Sequence, residues 1–214
     1  MLYNDSNKWQ EYISHVIQWE GGLSKNPSDP AASCVSAGQF HTNKGVTYCT
    51  FKDRAAALGI SPVSYQRFLN ITDEDAAKFL YFYYNNVTGN KLPDSIALAM
   101  TEAGWGSGTD RAYKHLYQAL SNLGQEAKNK GEAQAKSFLL PEKLLFDEYT
   151  KVRRAYLNFL AASPKYAPFK NGWNNRLISF YSKFSPSGNE KKKLIVSGAL
   201  ILLTLSIIYL IKQK

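Results

Sequence analysis

The stretch "HVIQWEGGLSKNPSDPAAS", from His15 to Ser33, contains a carboxylate where the preceding pattern calls for an apolar residue. The apolar residues before it recur at the spacing of a helix with one buried face, and they are Trp9, Ile13, Val16 and Ile17. Continuing that face by three residues leads to Glu20, and Gly21–Gly22 end the predicted helix directly after it.

Glu20 is therefore predicted to be half-buried or to lie at the edge of a cleft. Burial disfavours a charged carboxylate, and the negative end of the helix dipole disfavours it further, so both effects favour the protonated acid. Cleavage of a glycosidic bond requires such an acid as its proton donor. The two glycines leave room beside it for a sugar ring. On periodicity alone, a Glu20 that only ends the helix and pairs with a lysine is an equally good interpretation.

The composition predicts one well-buried domain with an appendage. The chain has 214 residues, of which 44% are hydrophobic and 20% charged, and this is typical of an ordered protein. The net charge of +9 favours an anionic partner such as the cell wall or a lipid surface. No nucleic acid partner is expected, because the basic residues are scattered and a Gly-rich phosphate loop is absent. The three histidines lack the spacing of a metal site, so neither a metal nor another cofactor is expected.

The last part of the chain has the composition of a membrane anchor. Residues 194–211 read "LIVSGALILLTLSIIYLI", without a charge, and lysines flank them on both sides. As a helix with a rise of about 1.5 Å per residue, this segment would span roughly 27 Å, which matches the hydrocarbon layer of a bilayer. The N-terminus lacks the apolar core of a signal peptide. A lipid bilayer is therefore an expected partner through residues 194–211.

The preceding part of the chain is predicted to be mainly α, with a small lobe of loop and hairpin structure. After the first helix, helices are predicted over residues 51–58, 73–86, 93–103, 110–123, 141–161 and 172–184. A short hairpin is expected around "GVTYCTF", because Val46, Tyr48 and Phe51 are prone to form strands. The predicted units are one domain over residues 1–184, a basic linker over 185–193, a transmembrane helix over 194–211 and a basic tail over 212–214.

Three blocks of the chain, taken in order, resemble a known family. They read "WEGGLSKNPSDPAAS", "TNKGVTYCTF" and "RRAYLNFLAASPKYAPFKNGWNNRL", and the resemblance covers about residues 7–180. The blocks resemble the glycoside hydrolase family 108 muramidases, which are lysozyme-like. The resemblance implies a single lysozyme-like α+β domain that cleaves the β-1,4 bond between N-acetylmuramic acid and N-acetylglucosamine in peptidoglycan.

The resemblance also implies catalytic residues. Glu20 matches the catalytic glutamate of the family and is the expected general acid. Asp29 is the candidate base that would activate water in an inverting hydrolase. Asn26–Pro27 stands where the family usually has Asp–Pro, and residues 30–41 contain an insertion, so the identity of the second group stays open. Without a base, a hydroxyl of the sugar itself would attack, and the enzyme would be a lytic transglycosylase.

Further residues match segments that line or close the sugar cleft of the family. The candidates for substrate binding are Thr42, Asn43, Thr47 and Trp105. The distal blocks contribute residues for which packing and sugar contact are equally good interpretations: Arg153, Arg154, Trp173, Asn174 and Arg176. Glu102 could be a second cleft acid, but a solvated or salt-bridged side chain is the favoured interpretation. Cys34 and Cys49 could close one loop, although their spacing leaves open whether they are bonded.

One explanation accounts for the expected peptidoglycan substrate, the expected membrane anchor and the lack of an export signal. A bacteriophage particle with an internal membrane would carry the domain to the wall at entry, with capsid proteins as further partners. The expected location is thus a virion membrane or host cell membrane, with action on the periplasmic peptidoglycan. The alternatives are a non-catalytic wall-binding protein, a structural virion membrane protein and a host enzyme of envelope remodelling.

Overall fold

The first helix, α1, spans Asn7–Trp19 in the computed structural model, which describes residues 7–187. Trp9 and Val16 of the predicted apolar face are buried, while Ile13 and Ile17 are half-buried. Glu20 follows directly after the helix and is half-buried, as the periodicity predicts. The end of α1 therefore brings a carboxylate to the border between core and solvent.

The other helices of the described range follow α1 with short connections. They are α2 (Tyr48–Arg54), α3 (Tyr65–Leu69), α4 (Asp73–Asn86), α5 (Asp94–Ser107), α6 (Thr109–Asn122), α7 (Lys130–Ser137), α8 (Glu142–Ala161) and α9 (Lys170–Phe184). Single turns of 3₁₀ helix cover Pro30–Cys34, Ala56–Leu58, Gly89–Lys91 and Ala167–Phe169. The prediction of a mainly helical single domain is thereby confirmed.

Most predicted helices are present, and α4 shows why its start could be predicted. The Thr72 side chain accepts a hydrogen bond from the Asp75 backbone N–H, and the Asp75 carboxylate accepts one from the Thr72 backbone N–H. This reciprocal capping box is readable from the sequence. The helices α3 and α7 were not predicted, because they have only five and eight residues and offer too few turns for a periodic apolar pattern.

The predicted hairpin is present, but it is shorter and lies earlier in the chain. Strand β1 (Thr42–Asn43) pairs antiparallel with β2 (Val46–Thr47). The expectation of strand structure at Tyr48 is wrong, since Tyr48 begins α2, and Phe51, at which the predicted helix 51–58 begins, also lies in α2. The reason is the side chain of Thr47, whose oxygen accepts a hydrogen bond from the Thr50 backbone N–H at 3.2 Å and so begins a helix directly after the strand.

Two hydrophobic cores are built from these elements. The larger one is centred on α5, whose residues Ser95–Gly104 are all buried, and α4, α6 and α8 pack against it. The smaller one lies under the hairpin and is formed by Val46, Phe51, Ala55, Ile60, Phe68, Ile71 and Phe79. Trp105, near the end of α5, packs against both cores. The helical body and the hairpin lobe therefore meet at Trp105.

The expected membrane anchor, residues 194–211, lies outside the described residues. Within residues 7–187, none of the helices combines the length and apolar character needed to cross a bilayer.

A disulfide between Cys34 and Cys49 connects the 3₁₀ helix Pro30–Cys34 to α2 across 15 residues of sequence. We expect the double variant Cys34→Ser/Cys49→Ser to lose about 3 kcal/mol of unfolding free energy, because the open loop gains entropy in the unfolded chain. Urea denaturation measures this difference. A reducing agent should produce the same loss in the unmodified protein and none in the variant, whereas equal stability of both proteins would contradict the expectation.

Candidate active site

The carboxylate of Glu20 is contacted from three other elements. Trp105 Nε1, in α5, donates a hydrogen bond to Glu20 Oε1 at 2.6 Å. Arg176, in α9, donates a hydrogen bond from Nη1 to the same oxygen. The turn between β1 and β2 lies so close that a Cβ on Gly45 would be 2.5 Å from Glu20 Cδ. Only a glycine fits there, and its φ of +77° also favours glycine.

The space beside Glu20 agrees with the predicted role of the two glycines. A Cβ added to either Gly21 or Gly22 would meet no atom within 4 Å. There is therefore open space beside the backbone that directly follows the acid. This leaves the carboxylate fixed by its neighbours and still reachable for a ligand.

A second carboxylate, that of Glu102 in α5, lies completely buried behind the first. Arg176 donates to it twice, from Nε to Oε1 at 2.6 Å and from Nη2 to Oε2 at 3.1 Å. Arg153 Nη2 lies 3.6 Å from Glu102 Oε1. Burial raises the pKa of Glu102, but the positive charges of Arg176 and Arg153 outweigh it and lower the pKa to about 2. Glu102 is thus a buried ion-pair partner, as the salt-bridged interpretation predicts.

Arg176 connects the two carboxylates. Burial lowers the pKa of Arg176, but the charges of Glu102 and Glu20 more than compensate and hold it above its ordinary value. The guanidinium is therefore permanently charged, and only 18% of the side chain is exposed. The sequence of α1 alone does not show this cation, which comes from α9.

A cleft of about 450 Å³ runs from this cluster along the helical body. Arg153, Arg176, Asp29 and Pro30 are among the residues that line it, and Glu20 adjoins it through its bond with Arg176. The remaining wall carries mostly apolar and aromatic side chains from α8, α9 and the turn between them: Tyr156, Leu157, Leu160, Tyr166, Phe169 and Trp173. The volume is in the usual range for ligand-binding pockets.

Asp29 lines the cleft and also shapes the loop that carries it. Its Oδ1 accepts a hydrogen bond from the Ala31 backbone N–H at 2.8 Å and caps the 3₁₀ helix Pro30–Cys34. The side chain is half-exposed. Asp29 and Arg176 therefore line one cleft, although 147 positions separate them in the sequence.

The other predicted binding residues lie at different distances from the acid. Trp105 contacts Glu20 directly. Asn43 is buried, and its amide donates to the carbonyls of Phe68 and Leu69 at 3.0 and 3.1 Å, so it ties the hairpin to the end of α3.

The two predicted threonines are half-exposed and lie at the ends of the hairpin. Thr42 Oγ1 bonds with His41 Nδ1 at 2.9 Å, and Thr47 caps α2. For Thr42, Asn43 and Thr47, a contact with substrate stays a prediction.

Arg176 is among the residues named from the sequence, but its ion pair with Glu20 was not predicted. The segment "GWNNRL" was assigned to the closing block, but packing and sugar contact were its two interpretations. The ion pair with Glu20 joins positions 156 residues apart, and no local pattern reports such a contact.

Within residues 7–187 no group of three or more His, Cys, Asp and Glu side chains could hold a metal ion.

Residues 13–108 match the family model of Glycosyl hydrolase 108. The matched segment contains Glu20, Asp29, the hairpin and Trp105. No curated protein matches the chain. Among solved structures, SagA from Brucella abortus is similar to this chain with a TM-score of 0.62 and 24% sequence identity, covering 85% of this chain and 97% of SagA. That likeness shows the fold, and the family match confirms the prediction of a glycosidase that acts on peptidoglycan.

Proposed function

We propose that this glycosidase cleaves the β-1,4 bond between N-acetylmuramic acid and N-acetylglucosamine, with Glu20 as the general acid. The observation that carries the proposal is the convergence of Trp105, Arg176 and the Gly45 turn on one half-buried carboxylate beside a cleft. A general acid must be held in one orientation toward the bond that it protonates. The two hydrogen bonds to Glu20 Oε1 supply that orientation.

In the proposed reaction, Glu20 gives its proton to the glycosidic oxygen while the bond from that oxygen to the anomeric carbon breaks. Water attacks the anomeric carbon from the opposite face and forms the new carbon–oxygen bond, and Asp29 accepts the proton of that water. Both carboxyl groups then regain their starting protonation by exchange with solvent. This is the inverting route, in which the two carboxyl groups take separate roles. The position of Asp29 on the wall of the cleft that Arg176 also lines supports it.

The glycan is proposed to lie along the cleft with its apolar faces on the aromatic side chains. Tyr156, Tyr166 and Trp173 line the cleft, and the Trp173 ring stacks on that of Phe169 with centroids 5.7 Å apart. Flat apolar walls with few polar groups are typical of sites that bind small rings. Trp105 would contact the sugar next to the scissile bond, because it already bonds to the acid.

The products of the reaction test the proposal. The purified protein is incubated with peptidoglycan sacculi, and the released muropeptides are analysed by mass spectrometry. Muramic acid reducing ends are the expected result. Anhydro ends would instead identify a lytic transglycosylase, in which a hydroxyl of the sugar replaces water and Asp29 is not a base. A protein that binds sacculi and releases nothing would be a wall-binding module.

The proposed setting is a membrane-containing bacteriophage particle, in which residues 194–211 hold the enzyme in the bilayer and capsid proteins surround it. The support is the composition of that segment, whose 18 uncharged residues lie between lysines. Fractionation of virions and of producing cells tests the setting. A protein recovered free of membrane would contradict it.

Gly45→Ala is expected to lower the rate of peptidoglycan cleavage by at least about tenfold, because a displaced catalytic group loses its alignment. The new methyl group would overlap the Glu20 carboxylate and the Trp105 ring, which lie 2.5 and 2.8 Å from its position. Gly38→Ala is the matched control, since Gly38 has a similar φ of +81° and nothing within 4 Å of an added Cβ. Equal rates for the two variants would contradict the expected clash.

A further inference from the structure

The acid, Glu20, is one end of a chain of four charged side chains. Glu20 is paired with Arg176, Arg176 with Glu102, and Glu102 with Arg153. They come from the end of α1, from α9, α5 and α8. Glu20 and Arg176 are 15% and 18% exposed, whereas Glu102 is completely buried. Glu20 is therefore linked, through Arg176, to a buried carboxylate that a substrate cannot contact.

Glu102 determines which donor of Arg176 is presented to the acid. Its two oxygens take Nε and Nη2 of the guanidinium, and this leaves Nη1 for Glu20. A guanidinium held by two parallel bonds has a fixed plane. Because Glu102 lies in a helix segment buried from Ser95 to Gly104, the position of Arg176 Nη1 is fixed by the core and not by solvent.

The charges of the side chains around Glu20 must offset one another if Glu20 is to act as a proton donor. With Glu20 protonated, as a proton donor must be, Arg176 and Arg153 contribute two positive charges and Glu102 one negative charge. Without Glu102, the two cations would act on Glu20 alone and favour its charged form.

The other titratable groups near the cluster lie on α1, at the hairpin turn and in the cleft. On α1, burial lowers the pKa of His15 and raises that of Tyr12, so both are neutral near pH 7. At the hairpin turn, Lys44 pairs with Asp73 at 2.6 Å. Asp29 lines the cleft that Arg153 and Arg176 also line, and neither variant of the test below changes it.

We propose that Glu102 is a positioning residue, which holds Arg176 against Glu20 and offsets its charge so that Glu20 carries a proton at the pH of catalysis. The inference rests on the proposed function, in which Glu20 is the acid. It assigns to a buried side chain a role that acts through Arg176 and involves no contact with the glycan.

The test is the pH profile of the cleavage rate at low substrate concentration. In Glu102→Gln the amide keeps the shape of the side chain and removes its negative charge. Glu20 then loses its proton more easily, and the alkaline limb of the profile is expected to move down by about one pH unit. In Arg153→Gln a positive charge is removed instead, and the same limb is expected to move up. A purely structural role would lower the rate at every pH without moving the limb.

Opposite shifts in the two variants are therefore the supporting result. Limbs that stay in place in both variants, or move in the same direction, would overturn the inference. The titration of the Glu20 carboxyl, followed by ¹³C NMR and assigned by its loss in Glu20→Gln, gives the same shifts independently of the rate. Thermal unfolding checks that each variant is folded, and if Glu102→Gln does not fold, the direction of the shift in Arg153→Gln decides.

Failure of the proposed function has a different signature. If Glu20→Gln remains active, Glu20 is not the acid and the proposed function fails. If Glu20→Gln is inactive and the limbs do not move, the role of Glu102 alone fails.

Discussion

Glu20→Gln is expected to reduce the release of muropeptides by about 10³-fold or more, because general acid catalysis contributes 10²–10⁴-fold to such reactions. The amide oxygen of glutamine can still accept hydrogen bonds from Trp105 Nε1 and Arg176 Nη1. Its nitrogen cannot supply the proton that the glycosidic oxygen needs. The variant therefore keeps the geometry of the site and loses only the acid.

The control for this variant is Glu11→Gln, which removes a carboxylate of the same helix. Glu11 is exposed on α1, away from the face that leads to Glu20, and its variant should cleave at the rate of the unmodified protein. Mass spectrometry of the products, with sacculus binding measured in parallel, separates loss of chemistry from loss of binding. Equal activity of Glu20→Gln and Glu11→Gln would show that Glu20 is not the general acid.

Asp29→Asn is expected to lower the rate by about 10²-fold, the lower end of the range for a general base. Asparagine retains an oxygen that accepts the hydrogen bond of the Ala31 backbone N–H, so the cap of the 3₁₀ helix should persist. What disappears is the negative charge that draws a proton from water. The measurement is the initial rate of release of muropeptides with reducing ends.

Asp53→Asn is the matched control, because Asp53 is an exposed aspartate of the same lobe in α2. Its rate should equal that of the unmodified protein. If Asp29→Asn also retains the full rate and the products carry anhydro ends, water is not the attacking group. The route through an Asp29 base would then be wrong, while the assignment of Glu20 would stand.

The fold could be predicted where the signal is local. The end of α1 at Glu20 follows from apolar spacing and two glycines, and the start of α4 follows from a capping box between Thr72 and Asp75. The hairpin was placed too late because Tyr48 and Phe51 have side chains that suit both strands and helices. Only the hydroxyl of Thr47, which caps α2, distinguishes the two.

The candidate site could be predicted only in part, because its contacts join distant positions. Trp105 and Arg176 lie 85 and 156 residues from Glu20, and no periodic pattern connects them. The burial of Glu102, in contrast, could be inferred from the sequence around it. The segment "SIALAMTEAG" is mostly apolar on every side of its helix, so a carboxylate within it has to be buried, and a buried carboxylate requires a cationic partner.

The disulfide affects in which redox environment the segment that carries Asp29 is held covalently. Cys34 ends the same 3₁₀ turn that Asp29 begins, so the bond to Cys49 fastens the segment that presents the candidate base. Thiols stay reduced in a cytoplasm and pair in a periplasm or a particle. A newly made chain in a reducing cytoplasm would therefore hold Asp29 on an open loop. In an oxidising compartment the bond to Cys49 would close that loop covalently.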